Sequence, residues 1–186
     1  MQTTPSSVFQ FQFEPTVRAA SLPFRALYEQ HFAFAWRTLR YLGVPEAQLD
    51  DAAQEVWLTV HRRYAEFEGR SAVKTWLYSI AMNVARNLHR MRRRRGELVA
   101  LPEDLPARSG DPQLEQEGRE AWETVRDFLD TLDDTRRAIF GAALLEGWSP
   151  AETAEATGLE LTTIYHRTRA LRRSFERWLD AREREQ

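Results

Sequence analysis

Between Glu46 and Phe67 the apolar residues Leu49, Ala52, Val56, Val60, Tyr64 and Phe67 return every three or four positions. Only an α-helix brings such a series to one face, because a strand would scatter it over both. The spacing predicts an amphipathic helix of about five turns. The same period appears on either side. Upstream, from Phe24, it collects Leu27, Phe32, Phe34 (or Ala35), Leu39 and Leu42, and Gly43-Val44-Pro45 reads as the turn that ends the helix. Downstream, Glu68-Gly69-Arg70-Ser71 breaks the pattern. Ser71 is placed to cap a third helix, with Trp76, Ile80, Val84, Leu88 and Met91 as its apolar stripe.

The periodicity stops in segment 96–113, where Gly96, Pro102, Pro106, Gly110 and Pro112 mark a flexible linker. It resumes near Leu114, with Trp122, Val125, Leu129 and Leu132 on one face. Another helix follows Asp133-Asp134 and carries Ile139, Ala142 or Ala143, and Leu145. Ser149-Pro150-Ala151-Glu152 joins an N-cap serine, a proline at the first helical position and a glutamate at the third, which is a capping box. The short helix it opens ends before Gly158, and a last helix runs from about Leu161 to Arg182. Nothing in the chain is strand-rich or repeated. The expected fold is all-α, with two small helical domains, 23–95 and 114–182, joined by the linker. An N-terminal extension, 1–22, precedes them. Within it Val8-Phe9-Gln10-Phe11-Gln12-Phe13 alternates apolar and polar residues with period two. Two readings stay open there: a mobile tail, or a strand that docks on a partner or on the chain's own core.

The chain has no cysteine, which removes disulfides, thiolate metal sites and cysteine nucleophiles. His31, His61, His89 and His166 are scattered, with neither a His-Glu-x-x-His motif nor a P-loop. No metal, cofactor or catalytic role is therefore expected, and the chain does not read as an enzyme. No apolar run approaches the ~18 residues of a membrane span. The N-terminus lacks the basic and apolar regions of a signal peptide. The expected location is the cytoplasm, without membrane contact of the chain's own.

A net charge of −2 conceals strong segregation. Arg86, Arg90, Arg92, Arg93, Arg94 and Arg95 follow one another without an intervening acid, acids dominate 103–134, and Arg167, Arg169, Arg172, Arg173 and Arg177 bring positive charge back. A basic, acidic, basic layout suggests two anion-binding surfaces joined by a segment that stays off the anion. In the C-terminal half, two short helices joined through Gly158 have the form of a helix-turn-helix. Ala154, Leu159, Ile164 and Leu171 would hold them together and leave Thr162, Thr163, Tyr165, His166, Arg167 and Arg169 to reach base edges in a major groove. On the third helix, Ser79, Asn83, Asn87 (or Arg86), Arg90 and Arg94 recur every three to four residues opposite the apolar stripe. Asparagine can read an exposed base edge and arginine can hold phosphate. Trp76 and Tyr78 add aromatic groups beside the Gly69-Arg70-Ser71 loop, where a stacked base gains about 1–3 kcal/mol. Asp51, Gln54 and Glu55 share the polar face of the second helix with Leu58. That acidic patch suits an arginine-bearing protein partner or simply solvent, and it will not bind DNA.

Four stretches carry a family resemblance: Asp50-Asp51-Ala52-Ala53-Gln54-Glu55-Val56-Trp57, then Phe67-x-Gly69-Arg70-Ser71, then Thr75-Trp76-Leu77-Tyr78-Ser79-Ile80-Ala81-Met82-Asn83 with the arginines that follow, and the run from Leu132-Asp133-Asp134-Thr135-Arg136-Arg137-Ala138-Ile139-Phe140 through the helix-turn-helix of Glu146 to Phe175. Together they resemble the extracytoplasmic-function (ECF) group of sigma-70-type sigma factors. The resemblance covers about 24–95 and 115–178. It departs at Ala52, where relatives commonly carry a branched residue, and at Glu160 and Thr162 before the last helix. It implies a region 2 domain that binds core polymerase and the −10 element, and a region 4 helix-turn-helix for the −35 element. Asp51, Gln54, Glu55 and Leu58 would dock on the β′ coiled coil of core RNA polymerase, which also offers its β subunit. Phe67, Arg70 and Ser71 would pocket a flipped −10 base beside Trp76 and Tyr78, with Asn83, Arg86, Asn87 and Arg90 on the non-template strand. Thr162, Thr163, Tyr165, His166, Arg167, Arg169 and Arg172 would read or flank double-stranded −35 DNA. The implied activity is promoter recognition and help in melting, restrained by a cognate anti-sigma factor.

Overall fold

The computed structural model describes residues 23–67, 71–96 and 112–185, apart from the side chains of 112–120 and 185. Helix α1 (Phe24–Tyr41) ends in a turn where the Gly43 N–H donates to Arg40 O at 2.9 Å and the Val44 N–H to Leu39 O at 3.0 Å. Helix α2 (Glu46–Arg63) is prolonged by one 3₁₀ turn, Tyr64–Glu66. Helix α3 (Val73–Arg95) does not use Ser71 as its cap: Ala72 holds the N-cap position and no side chain accepts from the first turn. The three helices enclose Leu27, Leu39, Leu49, Val56, Val60 and Leu77, all essentially inaccessible. Burying side chains of this size stabilises by about 1.5–3 kcal/mol each.

The C-terminal half comprises α4 (Pro112–Asp130), α5 (Asp134–Phe140), α6 (Pro150–Thr157) and α7 (Leu161–Glu185). The Asp133 carboxylate caps α5 by accepting the Arg136 N–H at 2.8 Å. A π-helical turn, Gly141–Leu145, follows α5. The capping box of α6 forms as its sequence predicts. The Glu152 N–H donates to Ser149 Oγ at 3.3 Å, and the Ser149 N–H donates to Glu152 Oε2 at 2.9 Å. Gly158, at φ 69°, supplies the left-handed residue that ends α6 and turns the chain into α7. Phe128, Leu129, Ile139, Phe140, Ile164 and Leu171 form the second core, with the Phe175 ring 4.9 Å from Phe128 and 5.3 Å from Phe140.

The two halves do not stand apart. Ala138, Ala142 and Ala156 of the second half complete the first core, and Tyr41 of the first half joins the second. α3 lies against α6 as well as against α1 and α2. This revises the apolar stripe expected for α3. Its buried residues are Val73, Thr75, Leu77, Tyr78, Ile80, Ala81, Met82, Ala85 and His89, whereas Trp76, Val84 and Leu88 are half-buried and Met91 is 46% exposed. A helix covered on two sides needs two faces of small or apolar residues, which a search for one stripe does not look for.

Candidate nucleic-acid and protein interfaces

On α7, Thr162, Tyr165, His166, Arg167, Arg169 and Arg172 are exposed and Thr163 is half-buried. Ile164 and Leu171, on the opposite side, are buried against the second core. The Thr157 hydroxyl donates to Thr153 O at 2.7 Å and closes the last turn of α6 just before the Gly158 turn. The pair is a helix-turn-helix whose second helix presents a polar, basic face. Tyr165 is 58% exposed, an aromatic group with no core to fill.

On α3, Asn83, Asn87 and Arg90 are exposed and Arg86 is half-buried. Arg90 Nη2 donates to Asn87 Oδ1 at 3.1 Å, so this arginine orients the asparagine amide beside it. At the head of the helix the Phe67 and Trp76 rings lie 4.6 Å apart with a 35° tilt, both half-buried, next to the half-buried Ser71. Arg70 lies outside the described residues. Tyr78 does not belong to this surface. It is wholly buried and its hydroxyl donates to Ala138 O at 2.7 Å, while its ring meets Trp148 at 5.1 Å. Burial, chiefly, pushes its phenol far above the ordinary range. Tyr78 sits two positions from Trp76, on the face of α3 that the second half covers.

Asp51, Gln54, Glu55 and Leu58 form an exposed band along α2, with Leu58 50% accessible. Arg62 binds back onto it, donating to Leu58 O at 3.2 Å and to Glu55 Oε1 at 3.3 Å. Beside the band an open groove of about 460 Å³ runs between α1 and α2, walled by Phe24, Tyr28, Phe32, Trp57 and Leu58 and edged by Asp50, Gln54 and His61. Trp57 anchors its floor, with the Tyr28 ring at 4.8 Å and the Phe24 ring at 6.2 Å.

The contacts that hold the halves together are the part that sequence reasoning missed. His89 is 1% exposed, and its Nδ1 meets Asp134 Oδ1 at 2.9 Å while its Nε2 meets Gly43 O at 3.1 Å. Both partners are acceptors, so the ring satisfies both only with a proton on each nitrogen. Arg93 donates to Asp134 Oδ2 from both terminal nitrogens at 3.1 Å. The His89 hydrogen bond, followed by the His89 and Arg93 charges, holds the Asp134 carboxyl well below the usual carboxylate range, against the opposing effect of burial. Arg137, buried, donates to Leu129 O and Leu132 O at 3.2 Å and reaches Leu42 O at 3.5 Å, and Arg37 pairs with Glu146 at 3.3 Å. The Arg40 guanidinium lies 5.0 Å from the Trp36 ring and 5.5 Å from that of Trp122. The signal for His89 was present as a histidine on the helix face that also carries Tyr78 and Ala85. Its partner is 45 positions away and no period reveals it. Among the described residues no group of three or more His, Asp or Glu side chains could hold a metal ion, and no helix is long and apolar enough to cross a membrane.

A three-helix unit with an exposed Asn/Arg face on α3 thus packs against a helix-turn-helix unit with an exposed basic face on α7. The sequence model of Sigma-70 region 2 matches residues 27–95. The chain is 32% identical over 162 residues to the ECF RNA polymerase sigma factor SigX of Bacillus subtilis, covering 82% of this chain and 84% of SigX. It is 27% identical to the RNA polymerase sigma factor CnrH of Cupriavidus metallidurans, over 85% of this chain and 87% of that one. Two solved structures share its fold. One is the sigma factor RpoE in complex with the anti-sigma factor NepR from Bartonella quintana, with TM-score 0.70, 20% identity and coverage of 84% and 96%. The other is CnrH in complex with the cytosolic domain of CnrY, with TM-score 0.64, 24% identity and coverage of 88% and 93%. The chain belongs to the ECF RNA polymerase sigma factors, which direct promoter-specific initiation and are transcription regulators rather than catalysts.

Proposed function

We propose that the exposed band of α2 (Asp51, Gln54, Glu55, Leu58) docks on core RNA polymerase, that the outer face of α3 captures single-stranded −10 bases, and that α7 reads the −35 duplex. The observation that carries this reading is the segregation of surfaces. Asn83, Asn87 and Arg90 share one exposed face of α3, the acids of α2 lie on another helix, and the basic row of α7 lies outside the second core. Arginines on α3 and α7 would hold phosphate with steep salt dependence. The free energy of stacking and hydrogen-bonding an unpaired base, with Phe67 and Trp76 close by, offsets the cost of unstacking it. Phe67, Arg70 and Ser71 would border that base. The segments 23–95 and 114–182 act as the two binding units and 96–113 as the tether between them. The complex would work in the cytoplasm with polymerase. The structure of RpoE with NepR supports an anti-sigma partner for this chain as well.

Run-off transcription tests this reading, with core polymerase from the source organism, the full chain and the promoter of its own operon. Transcripts from one start site that require the chain are expected. Specific duplex binding without polymerase binding or transcripts would replace this reading with a regulator that acts alone.

A further inference from the structure

Among the described residues five large apolar side chains stand exposed, and two of them share the start of α7: Leu161 at 43% and Tyr165 at 58%. Tyr28 and Leu58 wall the groove between α1 and α2, so their exposure belongs to that surface. Leu161 and Tyr165 have no such setting. The Ile164 N–H donates to Glu160 O at 3.1 Å, which fixes Leu161 in the first turn of the helix. Tyr165 follows four positions on and stands on the same side. Ile164 and Leu171 serve the second core from α7, and neither Leu161 nor Tyr165 belongs to it.

On the reading of α7 as the helix that enters the −35 duplex, on which this inference rests, we propose that Leu161 and Tyr165 together read the methyl group of a thymine. The −35 element then requires a T·A pair at one position, set by the first turn of α7. Position supports this, because the N-terminal residues of a recognition helix are the ones that meet base edges. Chemistry supports it as well. Thymine alone among the bases shows an apolar group in the major groove, whereas the others show donors and acceptors there. A leucine and a tyrosine pressed on such groups would strip them of water and leave them unpaired, at a cost in affinity. Charge identifies the partner as DNA. No acid lies between Glu160 and Glu176, while Thr162, His166, Arg167, Arg169 and Arg172 stand exposed near the pair. An apolar spot within a basic field matches a methyl group in a groove bordered by phosphates. The pair thus sets one base position, and its polar and basic neighbours hold the backbone and read others.

The test uses the full chain and two pools of randomised duplex DNA, identical except that the second carries deoxyuridine in place of thymine, which removes only the methyl group. The wild-type chain should select a T·A pair at one fixed position from the first pool. It should hold the selected duplex about four-fold more tightly than the deoxyuridine counterpart, the loss expected for one buried methyl group. Tyr165→Phe, which keeps the ring, should retain that preference. Leu161→Ser with Tyr165→Ser should abolish it while duplex binding persists. Arg172→Ala should weaken binding of both duplexes alike and leave the preference intact. Equal affinity of the wild-type chain for the two duplexes would overturn the proposal, as would a preference that survives in the double variant. If equal affinity came with loss of core polymerase binding in the double variant, the pair would belong to a protein contact instead. A wild-type chain that selects no sequence at all would overturn the −35 reading, and the thymine contact with it.

Discussion

Asp134→Asn removes the charge that joins the two halves and keeps the shape of the side chain. The loss can be worked from its two contacts. Toward His89, only 1% exposed, the carboxylate makes a charge-assisted hydrogen bond at 2.9 Å, a class worth about 1.5–3 kcal/mol, part of which an amide oxygen retains. Toward Arg93, whose side chain is 58% exposed, the pair at 3.1 Å is screened by solvent and adds at most about 0.5 kcal/mol. A first-turn acid on α5 contributes a few tenths more. The sum is about 2 kcal/mol, or about 4–8 °C in the melting temperature of a chain of this size. The pH dependence has a definite sign. The folded carboxyl is held below its ordinary value. Its stabilisation is therefore complete above the unfolded pKa of about 3.9 and declines as pH falls toward the folded value. The gap between wild type and variant should be about 2 kcal/mol at pH 5.5. By pH 3.0, some 0.9 units below the unfolded value, it should shrink by about 1 kcal/mol. Urea denaturation followed by circular dichroism at the two pH values measures both. Equal stability at pH 5.5, or a gap that widens on acidification, would refute the assignment of Asp134 as the ionised anchor of His89.

Three further outcomes are expected. Gly141→Ala places a Cβ 2.7 Å from the Tyr78 hydroxyl, whose hydrogen bond to Ala138 O leaves it little room, so a loss of about 1–3 kcal/mol is expected in thermal melts. Gly96→Ala, where nothing lies within 4 Å but φ is +72°, is its control, since only backbone strain of about 1 kcal/mol acts there. Asn83→Ala should weaken discrimination among −10 sequences by about 1–3 kcal/mol per contacted base and leave core binding intact, as read by fluorescence anisotropy on single-stranded promoter fragments. Asp51→Arg with Glu55→Arg should abolish co-purification with core polymerase while DNA binding by α7 persists.

Helix positions and the helix-turn-helix were legible because each rests on a local rule, whereas most of the expected linker, 97–111, lies outside the described residues. The capping box of Ser149 and Glu152 needs four consecutive residues, and the α2 face needs one period. The family resemblance added roles to exposed residues that periodicity had already separated from the core. What stayed hidden depends on distant contacts. Tyr78 looked like part of an aromatic cluster with Trp76, two positions away, yet Ala138 accepts its hydroxyl from 60 positions away. Ser71 looked like a cap, but α3 begins two residues later, after Ala72.

The same contacts change what an arginine run on α3 can mean. Arg90 lies exposed beside Asn87, whereas Arg93, three positions on, faces Asp134 of the other half. Two arginines of one basic stretch thus have different partners in the packed form. Phosphate competing for Arg93 would have to displace a carboxylate that His89 also anchors, whereas phosphate meeting Arg90 displaces only an amide. DNA binding through the near end of the run is therefore compatible with the packed halves, and binding through its far end works against them. The loss of salt-dependent affinity on Arg90→Ala should be the same in the wild-type and Asp134→Asn backgrounds, while Arg93→Ala should cost more affinity in the Asp134→Asn background, where Arg93 is released to phosphate. Additive effects of Arg93 and Asp134 in a double-mutant cycle on DNA affinity would refute that division.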